Sequence, residues 1–284
     1  MKNLLILSIF LCFTIGAYAQ INNSNLSLTG NQGNDTKPVI EKSFNPLNQK
    51  APKEKDFTFT VNPYLWFTAI GGTIEIPEIS STPYNFNQSF GDAVEDMKFA
   101  FMVAGRFKYK SVSLLYDMFY VHLKPTLSIP SMNVEGFLNG TADINEYVGD
   151  FSLAYRIPIE DKTVQFDVYG GTRVWSMDNT LDLTGSDGTP VKKSKKNAWV
   201  DPIFGALVNF DFEQNWFTYL RGDIGGFGAA SEFTSTFLWG VGYRFDQHWN
   251  TSFGIKNLYV DYEQDKKIYN IWQYGLLLSV GYRL

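Results

Sequence analysis

The sequence predicts an all-β protein, an antiparallel transmembrane β-barrel of about ten strands (within a range of eight to twelve) behind a disordered N-terminal leader. Three observations predict it. From Phe57 to Leu284, apolar residues alternate with polar or small ones over segments of a dozen residues or more, whereas strands of soluble sandwiches average about five to six. One face of each segment is nearly all apolar, with aromatic residues towards its ends, and the other carries glycine, polar and charged residues. Short and long connections alternate along the chain. That combination suits a closed barrel in a bilayer, where every backbone polar group must be satisfied internally and aromatic girdles mark both interfaces.

Composition removes the competing classes. The 284 residues are 17% aromatic with 24 glycines, too rich in packing residues for a wholly disordered chain. A helical membrane bundle needs runs of about 20 apolar residues, and the longest here, Leu4–Phe13, is interrupted by Ser8. The mean hydropathy of −0.16 makes the chain polar on average, and the net charge of −5 argues against a nucleic-acid partner, which calls for a clustered basic surface.

Residues 1–19 read as a secretory signal peptide: Lys2 and Asn3, an apolar stretch from Leu4 to Ile15, and Ala17-Tyr18-Ala19 as the cleavage site. A lipoprotein reading through Cys12 is disfavoured because Leu11, not a small residue, precedes it. Cleavage after Ala19 removes Lys2 and the single cysteine, so the exported chain has net charge −6 and no disulfide or thiol chemistry. Residues 20–56, rich in Asn, Ser, Lys and Pro with Phe44 as their one aromatic, read as a disordered periplasmic leader.

The barrel is predicted over residues 57–284. Phe57–Ile79 reads as one upward strand bent at Gly71-Gly72, and Asp96–Tyr109 as the next strand down. Short periplasmic turns are expected at Tyr109-Lys110-Ser111, Pro158–Lys162, Glu213-Gln214-Asn215 and Asp246-Gln247-His248. Longer extracellular loops are expected at Ser80–Asp96, Ser128–Gly140, Thr184–Lys196, Gly226–Ser231 and Gln264–Lys267, with Asn139-Gly140-Thr141 and Asp187-Gly188 as turns. The last strand is the clearest: Ile268, Asn270, Trp272, Tyr274, Leu276, Leu278, Val280, Tyr282 and Leu284 share one nearly all-apolar face, and Tyr269, Ile271, Gln273, Gly275, Leu277, Ser279, Gly281 and Arg283 the other. Its end resembles the signal read by barrel insertion machinery, with Leu284 in place of a terminal aromatic.

Four motifs in order then carry a family resemblance: Pro63-Tyr64-Leu65-Trp66 with Gly71-Gly72-Thr73, Trp199-Val200-Asp201-Pro202, Arg221-Gly222-Asp223-Ile224-Gly225-Gly226-Phe227-Gly228, and Gly242-Tyr243-Arg244-Phe245. Over Phe57–Leu284 the chain resembles a large family of Gram-negative outer-membrane β-barrels, OmpA-like and porin-like. The resemblance implies a barrel in the cell outer membrane among lipid and lipopolysaccharide. It implies no substrate, cofactor or reaction, and no functional residue is carried over.

Strand phase places Arg106, Lys108, Asp117, Asp167, Arg173, Asp201, Arg221, Asp223, Arg244, Lys256 and Arg283 towards the lumen. They form either an ion-pair network that fills the barrel or the lining of a narrow water-filled path. Barrels of about eight strands are filled by side chains, and those of 16 to 18 are open. No catalytic, cofactor or metal site is predicted. His122 and Asp117, an odd number of positions apart, fall on opposite faces of a strand, and His248 belongs to a turn. The glycines of residues 222–228 precede no helix, so they are not a phosphate-binding loop. Lys192, Lys193, Lys195 and Lys196 read as a solvated basic run in an extracellular loop, with lipopolysaccharide phosphate as the alternative contact. The function expected is a structural or narrow small-solute transport role; the alternative is a barrel enzyme acting on envelope lipid or peptide.

Overall fold

A computed structural model describes residues 56–75, 84–127, 137–185, 187–212, 215–264 and 267–284. The signal peptide and all of the leader but Asp56 lie outside the described residues. Among them the chain forms one antiparallel sheet that closes on itself. Ten long strands make the wall: β1 (Phe57–Glu75), β3 (Met97–Tyr109), β4 (Val112–Leu123), β6 (Phe137–Ile157), β7 (Val164–Gly185), β8 (Pro190–Asp211), β9 (Trp216–Gly226), β10 (Phe233–Arg244), β11 (Trp249–Gln264) and β12 (Lys267–Arg283). Two short strands, β2 (Tyr84–Gln88) and β5 (Thr126–Leu127), add to β1 and β6 at one rim. Closure is the β12–β1 ladder, which runs from Thr60 opposite Arg283 to Glu75 opposite Ile268. The β1–β3 ladder is the short one, from Phe57 opposite Tyr109 to Pro63 opposite Val103, and β2 covers β1 again from Ile70 to Ile74.

β1 is continuous through Gly71-Gly72, and Gly72 is glycine because a Cβ there would strike the Asn270 carbonyl of β12. The connection Ser80–Asp96, expected as a loop, instead contains β2 and a helix, α1 (Phe90–Asp96). Ser89 starts α1 with a capping box. Its Oγ accepts from the Asp92 amide at 3.3 Å, and Asp92 Oδ2 accepts from the Ser89 amide at 3.0 Å. Two further expectations are corrected. Asn139-Gly140-Thr141 lies within β6, with Gly140 opposite Leu183, and Lys192–Lys196 lie on β8 rather than in a loop. In both cases the β6–β7–β8 strands continue well past the membrane belt, because cross-strand partners persist where the residues turn polar.

The wall is apolar outside and polar or aromatic inside. Leu153, Phe204, Phe253, Trp272, Tyr274 and Leu276 face outward and are about half exposed or more, as expected of a wall set in lipid. Ring pairs between neighbouring strands form the lower girdle, Trp216 with Tyr243 and Trp249 with Tyr282, at 5.2 and 4.8 Å. Tyr259 with Trp272 and Phe99 with Tyr120, at 4.8 and 5.9 Å, form the upper one. Inward glycines make room for inward rings: a Cβ at Gly240 would meet Tyr219, and one at Gly242 would meet Phe217. At Gly275 it would run into the Phe67 carbonyl of β1, on the closing seam.

Gly275→Val is therefore expected to cost about 3 kcal/mol or more through forced displacement of the seam. Gly222→Ala, whose Cβ would find nothing nearer than the Thr236 carbonyl at 3.9 Å, should stay within about 0.5 kcal/mol. Denaturant titration of both variants in lipid vesicles checks the contrast. At α1, the Ser89 hydrogen bonds hold the Asp92 carboxyl below its ordinary value. The cap's contribution is thus fully present above the ordinary carboxylate value of about 4 and is lost as pH falls through the lowered one. Ser89→Ala should return Asp92 towards its ordinary value in an NMR titration.

Candidate functional site

Alternation decides which side chains enter the barrel. Because Phe151, Leu153 and Tyr155 of β6 face lipid, Asp150 must face the lumen, where the β6–β7 register sets it directly opposite Arg173. The guanidinium of Arg173, with no exposed surface, donates Nε to Asp150 Oδ1 at 2.8 Å and Nη2 to Asp150 Oδ2 at 2.9 Å. It also reaches Asp223 Oδ1 at 2.8 Å and the hydroxyls of Thr234 and Thr236 on β10. Arg221 of β9 donates to Asp150 Oδ2 at 3.0 Å, to Asp117 Oδ2 at 3.2 Å and to the Tyr169 hydroxyl at 3.0 Å. Tyr169 in turn donates to Asp223 Oδ2 at 2.8 Å. On the opposite wall Lys256 donates to Asp117 Oδ2 and to the Tyr64 hydroxyl, both at 3.0 Å, while Tyr64 donates to Asp117 Oδ1 at 2.7 Å. The Lys256 ammonium also lies over the rings of Tyr64 and Trp66, at 4.9 and 5.1 Å. Seven strands, β1, β4, β6, β7, β9, β10 and β11, thus meet in one network of three carboxylates and three cations.

Below it, Asp167 takes Arg106 at 2.9 Å and Arg156 at 2.8 Å. Above it the lumen turns aromatic. Trp66 packs edge-on against Phe119, and Trp175, Trp199 and Tyr262 stack in series at 5.5 and 4.2 Å. One polar strut crosses this apolar tier: Gln273 Nε2 of β12 donates to both oxygens of Glu146 on β6, at 2.6 and 2.8 Å.

Little space is left. The cavity between Asp117, Asp150, Arg173, Lys256, Phe119 and Leu258 holds about 10 Å³, the room of a single water. A larger hollow of about 490 Å³, bordered by Leu153, Tyr155, Val168 and Phe204 around Gly170, opens on the apolar outer wall.

The sequence-derived residues therefore separate into groups. Asp117, Arg173, Arg221, Asp223 and Lys256 join the central network, and Arg106 and Asp167 form the tier below. Arg244 pairs with Asp211 at 2.7 Å nearer the mouth on the side of the short turns, both side chains about a third exposed. Lys108 is buried, whereas Arg283 is exposed at the strand end. Asp201 stands apart from every cation of the network: its buried carboxylate accepts from the Ser231 amide at 2.8 Å, the Ser231 hydroxyl at 2.7 Å and Trp199 Nε1 at 3.1 Å. This binds the β9–β10 turn to the wall, and in that turn Gly226, Phe227 and Gly228 all adopt positive φ, at 85°, 54° and 71°. Sequence reasoning missed Asp150, Arg156, Tyr64 and Tyr169, although the parity of their lipid-facing neighbours marks them as inward. Asp117 and His122 do face opposite ways; His122 Nε2 instead meets Asp143 Oδ1 at 3.0 Å on the outer wall. His248 lies in its turn, its Nδ1 against the Arg283 carbonyl at 2.7 Å. Among the described residues no group of three or more His, Cys, Asp or Glu could hold a metal ion.

Among solved structures, the translocator domain of autotransporter NalP from Neisseria meningitidis is similar over 95% of this chain and 98% of that one, with 11% identity and a TM-score of 0.41. Neisserial surface protein A is similar over 81% and 97%, with 12% identity and a TM-score of 0.31. The outer membrane protease OmpT of Escherichia coli is similar over 80% and 96%, with 10% identity and a TM-score of 0.36. No protein-family model matches the chain, and no curated protein does. The barrel architecture rests on the strand ladders themselves.

Removing Arg173 leaves Asp150 and Asp223 short of a buried partner. Arg173→Met should therefore cost about 3–5 kcal/mol in vesicle unfolding titrations, and adding Asp150→Asn should recover part of the loss.

Proposed function

We propose that this protein is an integral outer-membrane β-barrel with a closed lumen and a structural role, which it exercises through its lipid-facing wall and its long extracellular hairpins. The observation that carries this reading is the filled interior: the cavity between Asp117, Asp150, Arg173 and Lys256 holds only about 10 Å³, which argues against a solute path through the charge network. The apolar outer wall and its two aromatic girdles support the membrane setting. The last strand supports delivery by barrel insertion machinery, and outer-membrane lipid with lipopolysaccharide is the surrounding partner. Purified native protein in planar bilayers is expected to show no discrete conductance, whereas an Arg173→Ala/Arg221→Ala variant should leak or step. Regular conductance steps from the native barrel would overturn the closed-lumen reading. Fractionation with soluble periplasm, or the lack of a heat-dependent shift in gel mobility, would overturn the membrane reading.

The His122–Asp143 pair, on the outer wall beside Tyr120 and Asn145, supports a second reading, an enzyme acting on envelope lipid. His122→Ala and His248→Ala variants with unchanged lipid profiles would remove it.

A further inference from the structure

The barrel wall is not of even height. β7 and β8 pair without interruption from Val164 opposite Phe210 to Thr184 opposite Pro190. The ladder on the other side of β8 is far shorter, from Ile203 opposite Gly225 to Asp211 opposite Phe217. β9 stops at Gly226, and the turn that follows is held down by the Ser231–Asp201 hydrogen bonds. Among the described residues, the outer part of β8 therefore has strand hydrogen bonds on one side only. Its neighbours across the gap reach it through side chains: Trp199 stacks on Tyr262 of β11, and Asn197 Nδ2 donates to the Tyr269 hydroxyl of β12 at 3.2 Å. These contacts hold the edge in position and engage none of its main-chain groups.

That edge is charged. Four of the five residues from Lys192 to Lys196 on it are lysine, namely Lys192, Lys193, Lys195 and Lys196. The exposed pair Lys192–Asp182, at 3.4 Å, is of the kind worth little in water. A row of lysines on an edge strand opposes pairing with its own copy, since antiparallel pairing would bring two basic runs together. The same row favours one class of incoming strand. We infer that β8 between Pro190 and Ala198 is a docking edge for an extended acidic segment of a partner protein, which adds to the sheet as a strand. Main-chain hydrogen bonds supply the binding, and the lysines select by charge. Pro190 and Pro202, which have no N–H to offer, fall at and just beyond the two ends of the segment, where an edge tolerates them. The inference rests on the proposed orientation, with this rim extracellular.

Detergent-solubilised native protein, in which either rim is accessible, tests the edge independently of orientation. The probe is a fluorescein-labelled peptide, Thr-Glu-Val-Glu-Thr-Glu-Val-Glu. Saturable binding is expected for it and none for the same peptide with lysine in place of glutamate. In a strand only alternate amides face the partner. N-methylation of one alternate set of peptide amides should therefore weaken binding by about tenfold or more, and methylation of the other set far less. Lys192→Glu/Lys196→Glu, at two exposed positions, should also weaken it about tenfold while heat-modifiable mobility is unchanged. Equal effects of the two methylation sets, no saturable binding, or Ser194→Cys cross-linking of native barrels into β8-to-β8 dimers would each overturn the inference. Protease cleavage at the β7–β8 hairpin on intact cells reports the orientation separately.

Discussion

Arg173 has no exposed surface and must neutralise two carboxylates from two different strands. The rest of the interior is organised around that demand. A charge inside a narrow barrel cannot keep its water, and an unpaired one would cost several kcal/mol. Each ion is therefore partnered by ions and hydroxyls on other strands, and the partners fix those strands in register. A slip of one residue on β7 would turn Arg173 out to lipid and strand Asp150 and Asp223 together inside. The network is thus a lock on topology as well as a plug.

The tiers above and below follow from the same accounting. Near the mouth on the side of the short turns, where water is closer, pairs such as Arg244–Asp211 are simple and partly exposed. At mid-height the ions form a continuous network that also enlists Tyr64, Tyr169 and two threonines. Higher up, stacked tryptophan and tyrosine rings fill the lumen with few polar atoms to satisfy. Asp201 obeys the rule with neutral donors alone, and its effect is to pull the β9–β10 turn onto the wall. That pinned turn creates the uneven rim, because β9 and β10 stop near the membrane surface while β7 and β8 continue past it.

Much of this was legible in the sequence. The face of β12, the short turns and the lumen positions of Asp117, Arg173, Arg221, Asp223 and Lys256 all follow from period-two alternation. That rule is local and therefore readable from one strand at a time. Asp150 and Tyr169 obey the same rule: Tyr169 shares the face of Asp167 and Arg173 on β7 but carries no charge to mark it, and Asp150 shows its role only once β6 is set beside Arg173. The extension of β8 through Lys192–Lys196 was hidden for a different reason: above the membrane a strand no longer needs an apolar outer face, so its alternation fades while its hydrogen bonds to β7 persist. His122 was compared with the wrong acid because its partner, Asp143, comes from a neighbouring strand.

By itself the sequence determined that the chain is a β-barrel with an apolar outside and a charged inside, since both properties are written in each strand's own pattern. Only the tertiary structure decided which charges meet and that, among the described residues, the outer part of β8 has a strand ladder on one side alone. Those depend on the register between strands and on where each ladder ends, and register is a property of pairs of strands brought together by closure of the sheet.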